Sequence, residues 1–468
     1  MPSLSMDKAN GTNLYLQLYQ NIEREIINGQ LRPGDRLPSY RWTAKKYGIN
    51  MSTVIRAYNL LAADGIIEII HGSGCYVKTV NCCHFFADKV VLENFSQGQV
   101  MERPAINFSS GTPFRSTYPI KEFSELLTQL IQEGLGDRLA YRDVQGSSHL
   151  RAVLAQYLAQ QRITADPACI QILAGSQQGI NILSQEIVHR NCTLMVSNPS
   201  YTVAINSLSR IGCQILSVPI LEDGPDLSAM EEILKRKKVD FLYTMPAFQS
   251  PTNISISEEK KRQMVDLANR YGFFIIEDDC LSELSFDGVP LIPLKAFDTQ
   301  NRVIYLKSFS KILMPGLRLA CMVVPPQLVS QITSAKFYSD ISSPDLFQEC
   351  LARFIEEGKM SPHLDRMRAY YQEKHQCMAQ EILSSGLMTI PYPSHGGLAF
   401  WVKLLNRVED SHQLYERLRQ EGVLFLPGNV FSQDGSHGQY IRLSYAAPTN
   451  DEIQKGIRII AKALKEQR

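Results

Sequence analysis

The stretch SFSKILMPGLRLA, residues 308–320, decides the fold of most of this chain. It follows the apolar run RVIYLKS (302–308), which has the composition of a buried β-strand. Lys311 and Arg318 therefore come soon after a strand end, where open parallel sheets bind their ligands. A lone lysine in such a place is most often solvated, so its role depends on what ends the neighbouring strands.

Further apolar runs alternate with helical stretches on the N-terminal side of this one. They are CIQILA (169–174), TLMVSN (193–198), QILSVPI (214–220), DFLYTMP (240–246) and GFFIIEDD (272–279). Near-continuous apolar strands between helices predict a mostly parallel sheet that is covered on both faces. Beyond about residue 330 the pattern is helical, and the runs GGLAFWVKL and QYIRLSYAAP predict a smaller α+β subdomain at about 340–468.

The first 78 residues carry a different pattern. One apolar face of a first helix is formed by Leu14, Leu18, Ile22 and Ile26. Ser39 and Asn50 are placed to cap two further helices. The inner stripe of the third helix consists of Val54, Tyr58 and Leu61. Two β-rich runs around HGSG (71–74) predict a hairpin, and together these elements predict a winged helix-turn-helix over residues 10–78.

Composition excludes several classes of protein. The 468 residues are 44% apolar, and no apolar run approaches the ~18 residues that a membrane span needs. The N-terminus lacks an export signal, so we expect a cytoplasmic protein with reduced cysteines. No CxxC pair is present, and we expect no metal site. Residues 1–78 carry nine Lys/Arg against six Asp/Glu, a mild excess that permits nucleic-acid binding.

The residues that follow the strands combine into one chemistry. GSQQ (175–178) opens a helix whose free N–H groups suit a phosphate. Asp278 ends one strand, Lys311 follows another, and Arg318 can pair with a phosphate. Pyridoxal phosphate needs a lysine for its aldehyde, a carboxylate for its ring nitrogen and a cradle for its phosphate. Each feature alone is weak, but their order along the chain favours this cofactor.

These residues resemble a known family. SFSKILMPGLRLA is similar to a signature of fold-type I aminotransferases, and YRDVQGSSHLR (141–151), NPSY (198–201) and PGNVFSQDGSHGQYIRLSYA (427–446) support the resemblance. With LRPGDRLPS, TVIRAYNLLAADG and HGSGCYV in front, the whole chain resembles the MocR-type regulators of the GntR superfamily. The resemblance implies a winged helix-turn-helix (10–78), a linker (79–105) and an α/β fold-type I aminotransferase-like domain (106–468).

Carried over residue by residue, the resemblance implies roles around the cofactor. Lys311 would form an internal aldimine, Asp278 would pair with the ring nitrogen, and Tyr201 would stack on the ring. The phosphate would be held by Ser176, Gln177, Ser308, Ser310 and Arg318. Tyr141 would reach the phosphate of a neighbouring subunit, because family sites lie at a homodimer interface. Arg442 would bind the carboxylate of an amino-acid effector.

Three positions, in two segments of the chain, depart from the family pattern. Ser250 precedes Pro251-Thr252, where the family usually has an asparagine that contacts the ring hydroxyl, and Asn253 replaces a glycine. Cys280 stands where the family tends to have a tyrosine, two positions after the first aspartate. We expect cofactor binding to survive, with Ser250 in the site, and sustained transamination to be weak or absent.

The winged module is expected to contact double-stranded DNA. Its third helix would present Ser52, Thr53 and Arg56 to the bases. The second helix and the wing would add Arg36, Ser39, Arg41, His71 and Gly72. The alternative is that the arginines are merely solvated and that Ser39 is an ordinary cap. Met51 stands where related domains commonly have arginine, so a single module should bind weakly and dimerisation should raise the affinity.

Three functions stay open at this point. The first is a transcription regulator in which an amino compound, or pyridoxal phosphate itself, reacts at Lys311 and moves the DNA modules. The second is a working aminotransferase with an auxiliary DNA module, and the third is a DNA module fused to a fold that holds no cofactor. Ser250 and Cys280 favour the first over the second. The effector, the operator and the sign of regulation do not follow from the sequence.

Overall fold

The computed structural model describes most of the chain. The described residues are 14–27, 31, 34–63, 66–70, 72–77, 106–134, 136–188, 192–209, 212–288, 291–405, 410–432 and 434–466. Contacts divide the chain into two compact units, residues 1–90 and 91–468. The predicted linker (79–105) lies outside the described residues, so the boundaries 10–78 and 106–468 stay predictions.

The N-terminal unit has helices packed against a two-stranded hairpin. Its elements are α1 (Leu14–Ile27), α2 (Tyr40–Tyr47), α3 (Met51–Ala63), β1 (Ile67–Ile70) and β2 (Gly74–Val77). Its core includes Leu18, Ile22, Ile26, Val54, Tyr58, Leu61 and Cys75. The Ser39 side chain caps α2 by accepting from the Trp42 N–H at 3.3 Å, and Gly48 ends that helix with φ 60°. The predicted winged helix-turn-helix is confirmed.

The larger unit alternates strands and helices before it becomes mainly helical. The strands up to residue 323 are β3 (Ile106–Asn107), β4 (Ile170–Leu173), β5 (Thr193–Asn198), β6 (Gln214–Leu221), β7 (Gly224–Pro225), β8 (Phe241–Thr244), β9 (Phe274–Asp279), β10 (Val303–Ser308) and β11 (Ala320–Val323). The helices of this stretch are α4 (Ile120–Gln132), α5 (Ser148–Ala159), α6 (Ser176–Glu186), α7 (Thr202–Ser209), α8 (Leu227–Arg236) and α9 (Glu258–Tyr271).

An eight-stranded sheet forms the centre of this unit, in the order β4-β11-β10-β9-β8-β5-β6-β7. Strands β10, β9, β8, β5 and β6 run parallel, as predicted. Strand β11 is antiparallel to both of its neighbours, β10 and β4. The sequence analysis did not separate β11, because it is four residues long and begins two residues after Arg318. Because β11 is antiparallel to both neighbours, β4 is parallel to β10, and these two strands end at the same edge of the sheet.

Helices cover both faces of the sheet, and neighbouring strand residues face opposite sides. Ile276 and Ile304 pack in one cluster with α6 and α7, whereas Ile275 and Val303 pack in another with α8 and α9. This alternation is the two-residue period of a β-strand. It determines which polar residues at the strand ends face each side.

The C-terminal part has a sheet and helices of its own, as the predicted α+β subdomain requires, while the bounds of about 340–468 stay a prediction. Helix α10 (Val329–Asp340) packs against the central sheet. The later helices of this part are α11 (Asp345–Glu356), α12 (Met360–Ser384), α13 (Ser411–Gln420) and α14 (Asn450–Lys465). Its strands are β12 (Met388–Thr389), β13 (Ala399–Leu404), β14 (Val423–Leu424), β15 (Leu426–Pro427) and β16 (Tyr440–Ser444). The sheet order is β12-β13-β16-β15, and β14 pairs with β3. Within the described part of the chain, no helix has both the length and the apolarity to cross a bilayer.

Candidate functional site

The turn after β4 and the guanidinium of Arg318 lie against each other and together make up the predicted phosphate corner. Gly175 has φ 92° immediately before α6, and the Arg318 guanidinium donates to the carbonyl of Ala174 at 2.9 Å. A Cβ atom at position 175 would lie 2.4 Å from Nη2 of Arg318, so only glycine allows this approach. The first turn of α6 offers backbone N–H groups without intrahelical acceptors. This pairing of a helix N-terminus with a guanidinium suits a phosphate.

The other predicted phosphate residues lie close to this corner in different ways. Ser176 opens α6, and the amide of Gln177 donates to Ser207 at 2.7 Å. Gln177 therefore offers its backbone N–H, because its side chain is engaged elsewhere. The N–H of Ser310 donates to the hydroxyl of Ser308 at 3.4 Å, beyond the end of β10. Register places Ser308 beside Ala320, and Ala320 beside Leu173, which brings both strand ends together.

Asp278 is a buried carboxylate with one acceptor left over. Its Oδ2 accepts from the Tyr243 hydroxyl at 2.9 Å, while its buried Oδ1 has no hydrogen-bond partner among the described residues. Burial raises the pKa of Asp278 to about 6, the Tyr243 hydrogen bond opposes the rise, and Asp279 adds to it. A buried acceptor of this kind calls for a donor. The protonated ring nitrogen of pyridoxal phosphate is such a donor, so the residues fit this group.

Lys311 and Arg442 converge on a glycine that the sequence analysis did not single out. From the position that a Cβ of Gly111 would occupy, Nζ of Lys311 is 3.4 Å away and Nη2 of Arg442 is 3.5 Å away. Burial lowers the pKa of the Lys311 amine, and the positive charges of Arg442 and Arg318 lower it further. A lowered pKa increases the fraction of free amine, which is the nucleophilic form. The Gly-Thr-Pro turn after β3 was the available sequence signal for Gly111.

Tyr201 and Cys280 lie on the same side as Asp278. Burial raises the pKa of the Tyr201 hydroxyl, and the negative charges of Asp278 and Cys280 add to the effect. Burial also raises the pKa of the Cys280 thiol, and the nearby Asp278 and Asp279 raise it further, whereas Lys311 opposes them. The thiol therefore stays protonated at neutral pH, in keeping with an inert side chain.

Tyr243 is a second residue that the sequence analysis missed. It lies in β8, beside β9, and its ring is fully buried. The signal was a tyrosine inside an otherwise apolar strand, since a buried hydroxyl needs a polar partner. Its hydroxyl donates to the carboxylate of Asp278.

The two departures at 250 and 253 sit in a braced turn. Gln249 donates to the carbonyl of Pro199 at 2.9 Å and accepts from the Thr252 N–H at 3.1 Å. Asn253 has φ 60°, and its amide donates to the carbonyl of Gly396 at 2.9 Å. Asparagine tolerates this left-handed conformation, so replacing the usual glycine preserves the turn. Ser250, the residue before Pro251 in this turn, is half-buried.

Tyr141 is not gathered into the site within one chain. Its side chain is 83% exposed, in the loop between α4 and α5. The predicted contact of Tyr141 with the phosphate of a neighbouring subunit therefore stays a prediction.

The predicted DNA-contact residues divide into free and engaged side chains. Arg41, Ser52 and Gly72 are exposed, and Thr53 is half-buried in the first turn of α3. Arg36 donates to the carbonyl of Ser73 in the wing and lies 5.9 Å from the Tyr76 ring centroid. His71 lies outside the described residues.

In helix α3, the predicted DNA contact Arg56 is exposed, yet its guanidinium is already engaged by another residue of the unit. The guanidinium carbon of Arg56 lies 4.1 Å from the centroid of the Tyr15 ring in α1, a cation–π distance. Met51, the first residue of α3, is 47% exposed, and Trp42 of α2 is 48% exposed. Two large apolar side chains of the unit are thus exposed, which sequence reasoning had not predicted.

A family model of the aminotransferases of class I and II matches residues 103–460. The chain belongs to this aminotransferase family. A model of the bacterial regulatory proteins of the gntR family matches residues 14–77 in front of it. The two together are the architecture of MocR-type regulators.

Relatives of this aminotransferase-family chain span both units. It is 27% identical to the HTH-type transcriptional regulator YdfD of Bacillus subtilis, over 97% of this chain and 96% of that one. It is 28% identical to the probable rhizopine catabolism regulatory protein MocR of Rhizobium meliloti, over 98% and 95%. Among solved structures, LysN, an alpha-aminoadipate aminotransferase from Thermus thermophilus complexed with N-(5'-phosphopyridoxyl)-L-leucine, has a TM-score of 0.73 and 30% identity, covering 80% of this chain and 97% of that one. Pyridoxal phosphate is the cofactor that the family and the residues of this site both fit.

Proposed function

We propose that this chain is a DNA-binding transcription regulator that senses an amino compound, or pyridoxal phosphate itself, through covalent attachment at Lys311. The carrying observation is the buried Asp278 Oδ1 without a partner among the described residues, in a chain that also contains a GntR-type module. A site that only stabilised the fold would gain nothing from such an acceptor. The same observation argues against a fold that holds no cofactor.

Each residue of the site has a task that its position supports. The Gly175 turn, the first turn of α6 and Arg318 bind the phosphate, while Asp278 orients the ring through its nitrogen. When bound, the cofactor supplies an aldehyde for amines and a ring that accepts electrons. Lys311 supplies the amine, and Arg442 lies close enough to hold the carboxylate of an amino-acid effector in a bidentate grip.

Binding and sustained turnover place different demands on this site. Residues are present for the phosphate, for the ring nitrogen and for the covalent link to the aldehyde, which supports binding of the cofactor. Ser250 and Cys280 replace an amide and a phenol that would tune the ring hydroxyl, which weakens the case for an efficient aminotransferase. A catalytically active transaminase with an auxiliary DNA module is the alternative.

We also propose a homodimer that buries an aromatic patch beside the phosphate corner. Phe337, Tyr338 and Ile341 are exposed at the C-terminal end of α10, and Tyr338 is 84% exposed. The amide of Gln178 in α6 donates to the Ser339 hydroxyl at 3.1 Å, which ties this patch to the helix that starts at the phosphate corner. Exposed aromatic patches of this kind mark interaction surfaces. A second copy seated here is the neighbour whose phosphate Tyr141 would reach, as the family resemblance implies.

The DNA contacts are proposed from the free side chains of the N-terminal unit. Ser52 and Thr53 at the start of α3 would read base edges, and Arg41 and Gly72 would approach phosphates. His71 and Arg56 keep the roles that the sequence predicts, although Arg56 must leave Tyr15 to reach DNA. A DNA partner fits the cytoplasmic location that the sequence predicts.

The decisive experiment measures DNA binding and cofactor attachment in the same full-length protein. The DNA upstream of the gene is footprinted with and without pyridoxal phosphate and a panel of amino acids, and the visible absorption is recorded in parallel. Lys311→Ala is expected to keep its fold but to lose the ligand response of the footprint. It should also lose the cofactor attachment that reduction with borohydride makes permanent. Lys403→Ala, which changes an exposed lysine of β13, is the matched control.

Two outcomes would contradict the proposal. A footprint that ignores every ligand while the protein converts amino acids with a keto acid over many turnovers would favour the aminotransferase. The absence of both a visible absorption band and a covalent adduct after borohydride reduction would instead favour a fold that holds no cofactor. A ligand-dependent footprint without sustained turnover is the expected result.

A further inference from the structure

A buried ion cluster lies on the opposite side of the sheet from the cofactor site. Lys307 in β10 is fully buried, and its Nζ contacts Oδ2 of Asp279 at 3.1 Å and the carboxylate of Glu283. The same Nζ donates to the Ser282 hydroxyl at 3.1 Å. Tyr305 donates to Asp279 at 2.7 Å, and Tyr157 donates to Glu283 at 2.8 Å. The cluster therefore holds two carboxylates and one ammonium, with little access to solvent.

The cluster is linked to the site through consecutive residues of two strands. Asp278 and Asp279 are neighbours in β9, so their side chains face opposite sides of the sheet. Lys307 pairs in register with Asp279 and directly precedes Ser308 of the phosphate corner. A charge on one face thus lies a single residue away from the acid on the other face.

Charge balance explains why a lysine is needed there. Burial disfavours the ammonium, yet the carboxylates of Asp279 and Glu283 outweigh burial and raise the pKa of Lys307. Burial opposes ionisation of Asp279 too, but Lys307 and hydrogen bonds from Ser282 and Tyr305 lower the pKa of that carboxyl. Lys307 and Asp279 are thus held ionised as a pair, and the ammonium offsets the negative charge beside it.

We propose that Lys307 is a positioning residue for the cofactor site: it compensates the carboxylates of Asp279 and Glu283 behind the sheet and so keeps Asp278 available as an ionised partner for the ring nitrogen. This inference rests on the proposed function, because it concerns the cofactor that Asp278 would hold. Other ionisable groups around Asp278 and the cluster are Tyr201, Tyr243, Cys280, Glu277, Lys261, Cys321, Tyr157 and Tyr305.

Two substitutions of opposite charge separate this role from simple packing. Lys307→Met leaves two uncompensated carboxylates and should make Asp278 harder to ionise. Asp279→Asn keeps the shape of the side chain, leaves Lys307 paired with Glu283, and should make Asp278 easier to ionise. The sign of each effect follows the sign of the charge removed. Lys307→Arg retains the charge and serves as the conservative variant.

The probe is 4′-deoxypyridoxine 5′-phosphate, which has the ring nitrogen and the phosphate but no aldehyde, so chemistry at Lys311 does not contribute. Its affinity for the full-length apo protein is measured by calorimetry from pH 5 to pH 8. The complex holds one proton between Asp278 and the ring, so affinity falls on the acid side once the free carboxyl becomes protonated. The phosphate of the probe also titrates at about pH 6 and contributes equally in every variant. The displacement of the acid limb between variants therefore reports the ionisation of Asp278, whose pKa burial raises to about 6 in the unaltered protein.

The expected result is a midpoint that moves up by about half a pH unit or more in Lys307→Met and down by a similar amount in Asp279→Asn. Lys307→Arg should stay at the midpoint of the unaltered protein. Shifts in the same direction, or equal losses of affinity at every pH, would overturn the inference and leave a structural role only. If Lys307→Met does not fold, the Asp279→Asn arm decides alone by the direction of its shift. Failure of the unaltered protein to bind the probe would overturn the proposed cofactor as well.

Discussion

At the scale of single residues, adjacent aspartates in β9 have separate tasks. Asp278 faces Tyr243 and the site, whereas Asp279 faces Lys307 on the other side of the sheet. The pKa values of the two carboxyls also shift in opposite directions. Burial raises the pKa of Asp278, which has one neutral donor, whereas pairing with the Lys307 ammonium lowers the pKa of Asp279. The two adjacent carboxylates of this motif therefore lie in different surroundings, and only Asp278 keeps a free acceptor on the side of the candidate site.

Arg442 is expected to influence the reactivity of Lys311 as well as bind an effector. Arg442→Met removes a positive charge that lowers the pKa of Lys311, so that pKa should rise and less free amine should be present at neutral pH. Cofactor attachment should then become slower at pH 7, and its pH–rate profile should shift to higher pH. Stopped-flow absorption with pyridoxal phosphate measures the profile. An unchanged profile would remove Arg442 from the surroundings of Lys311, and Lys403→Met is the control for loss of an exposed cation.

The same variant separates binding of the cofactor from binding of the effector. Arg442→Met should keep the covalent cofactor yet lose the response of its footprint to amino acids, since the carboxylate has no bidentate partner. Amines without a carboxylate should act on both proteins alike. A full response to amino acids in the variant would place the effector carboxylate elsewhere.

At the scale of elements, the turn from β4 into α6 is expected to control phosphate binding. Gly175→Ala would strain a residue at φ 92° and push against Arg318, at a cost of about 1–3 kcal/mol. The affinity for pyridoxal phosphate should fall roughly tenfold or more, as measured by fluorescence titration. Gly316→Ala is the matched control, because a Cβ there meets nothing within 4 Å. Equal affinities of the two variants would contradict the assignment of the phosphate corner.

The first turn of α3 gives a second prediction at this scale. Met51→Arg adds a cation where the recognition helix begins, so specific DNA binding should become tighter by about 1–3 kcal/mol. The slope of log affinity against log salt should steepen by about one, as one more phosphate is neutralised. Asn59→Arg adds the same charge eight residues further along α3, at another exposed position, and should change the slope less. Equal effects of the two variants would mean that Met51 does not face the DNA.

At the scale of the whole molecule, dimerisation is expected to determine how well DNA is bound. A module with a small positive charge gains affinity when a second module is tethered to it. Tyr338→Glu places a charge in the exposed patch of α10 and should weaken self-association by about 2 kcal/mol, the size of an aromatic hot spot. Sedimentation equilibrium measures the dimer, and footprinting at the same concentration should show weaker protection. Leu383→Glu, at another exposed apolar position, is the control.

The sequence alone was sufficient for the classes of both units, and it named most of the residues that the structure brings together in the candidate site. Periodicity indicated the helices of the winged module and the parallel strands, because burial of one face imposes a period of 3.6 or 2. Polar residues directly after strands indicated the lysine, the acid and the phosphate corner, since parallel strands end at one edge. Those inferences need only local patterns.

Tertiary structure decided what local patterns do not contain. The approach of Gly111 to Lys311 and Arg442, and of Gly175 to Arg318, joins residues that are far apart in the chain. The partner of Asp278 is Tyr243 on another strand, and the partner of Arg56 is Tyr15 on another helix. Strand direction, register and packing place these groups, and they depend on contacts across the whole fold. For the same reason, the ammonium of Lys307 could be assigned to the far face only once β9 and β10 were seen side by side.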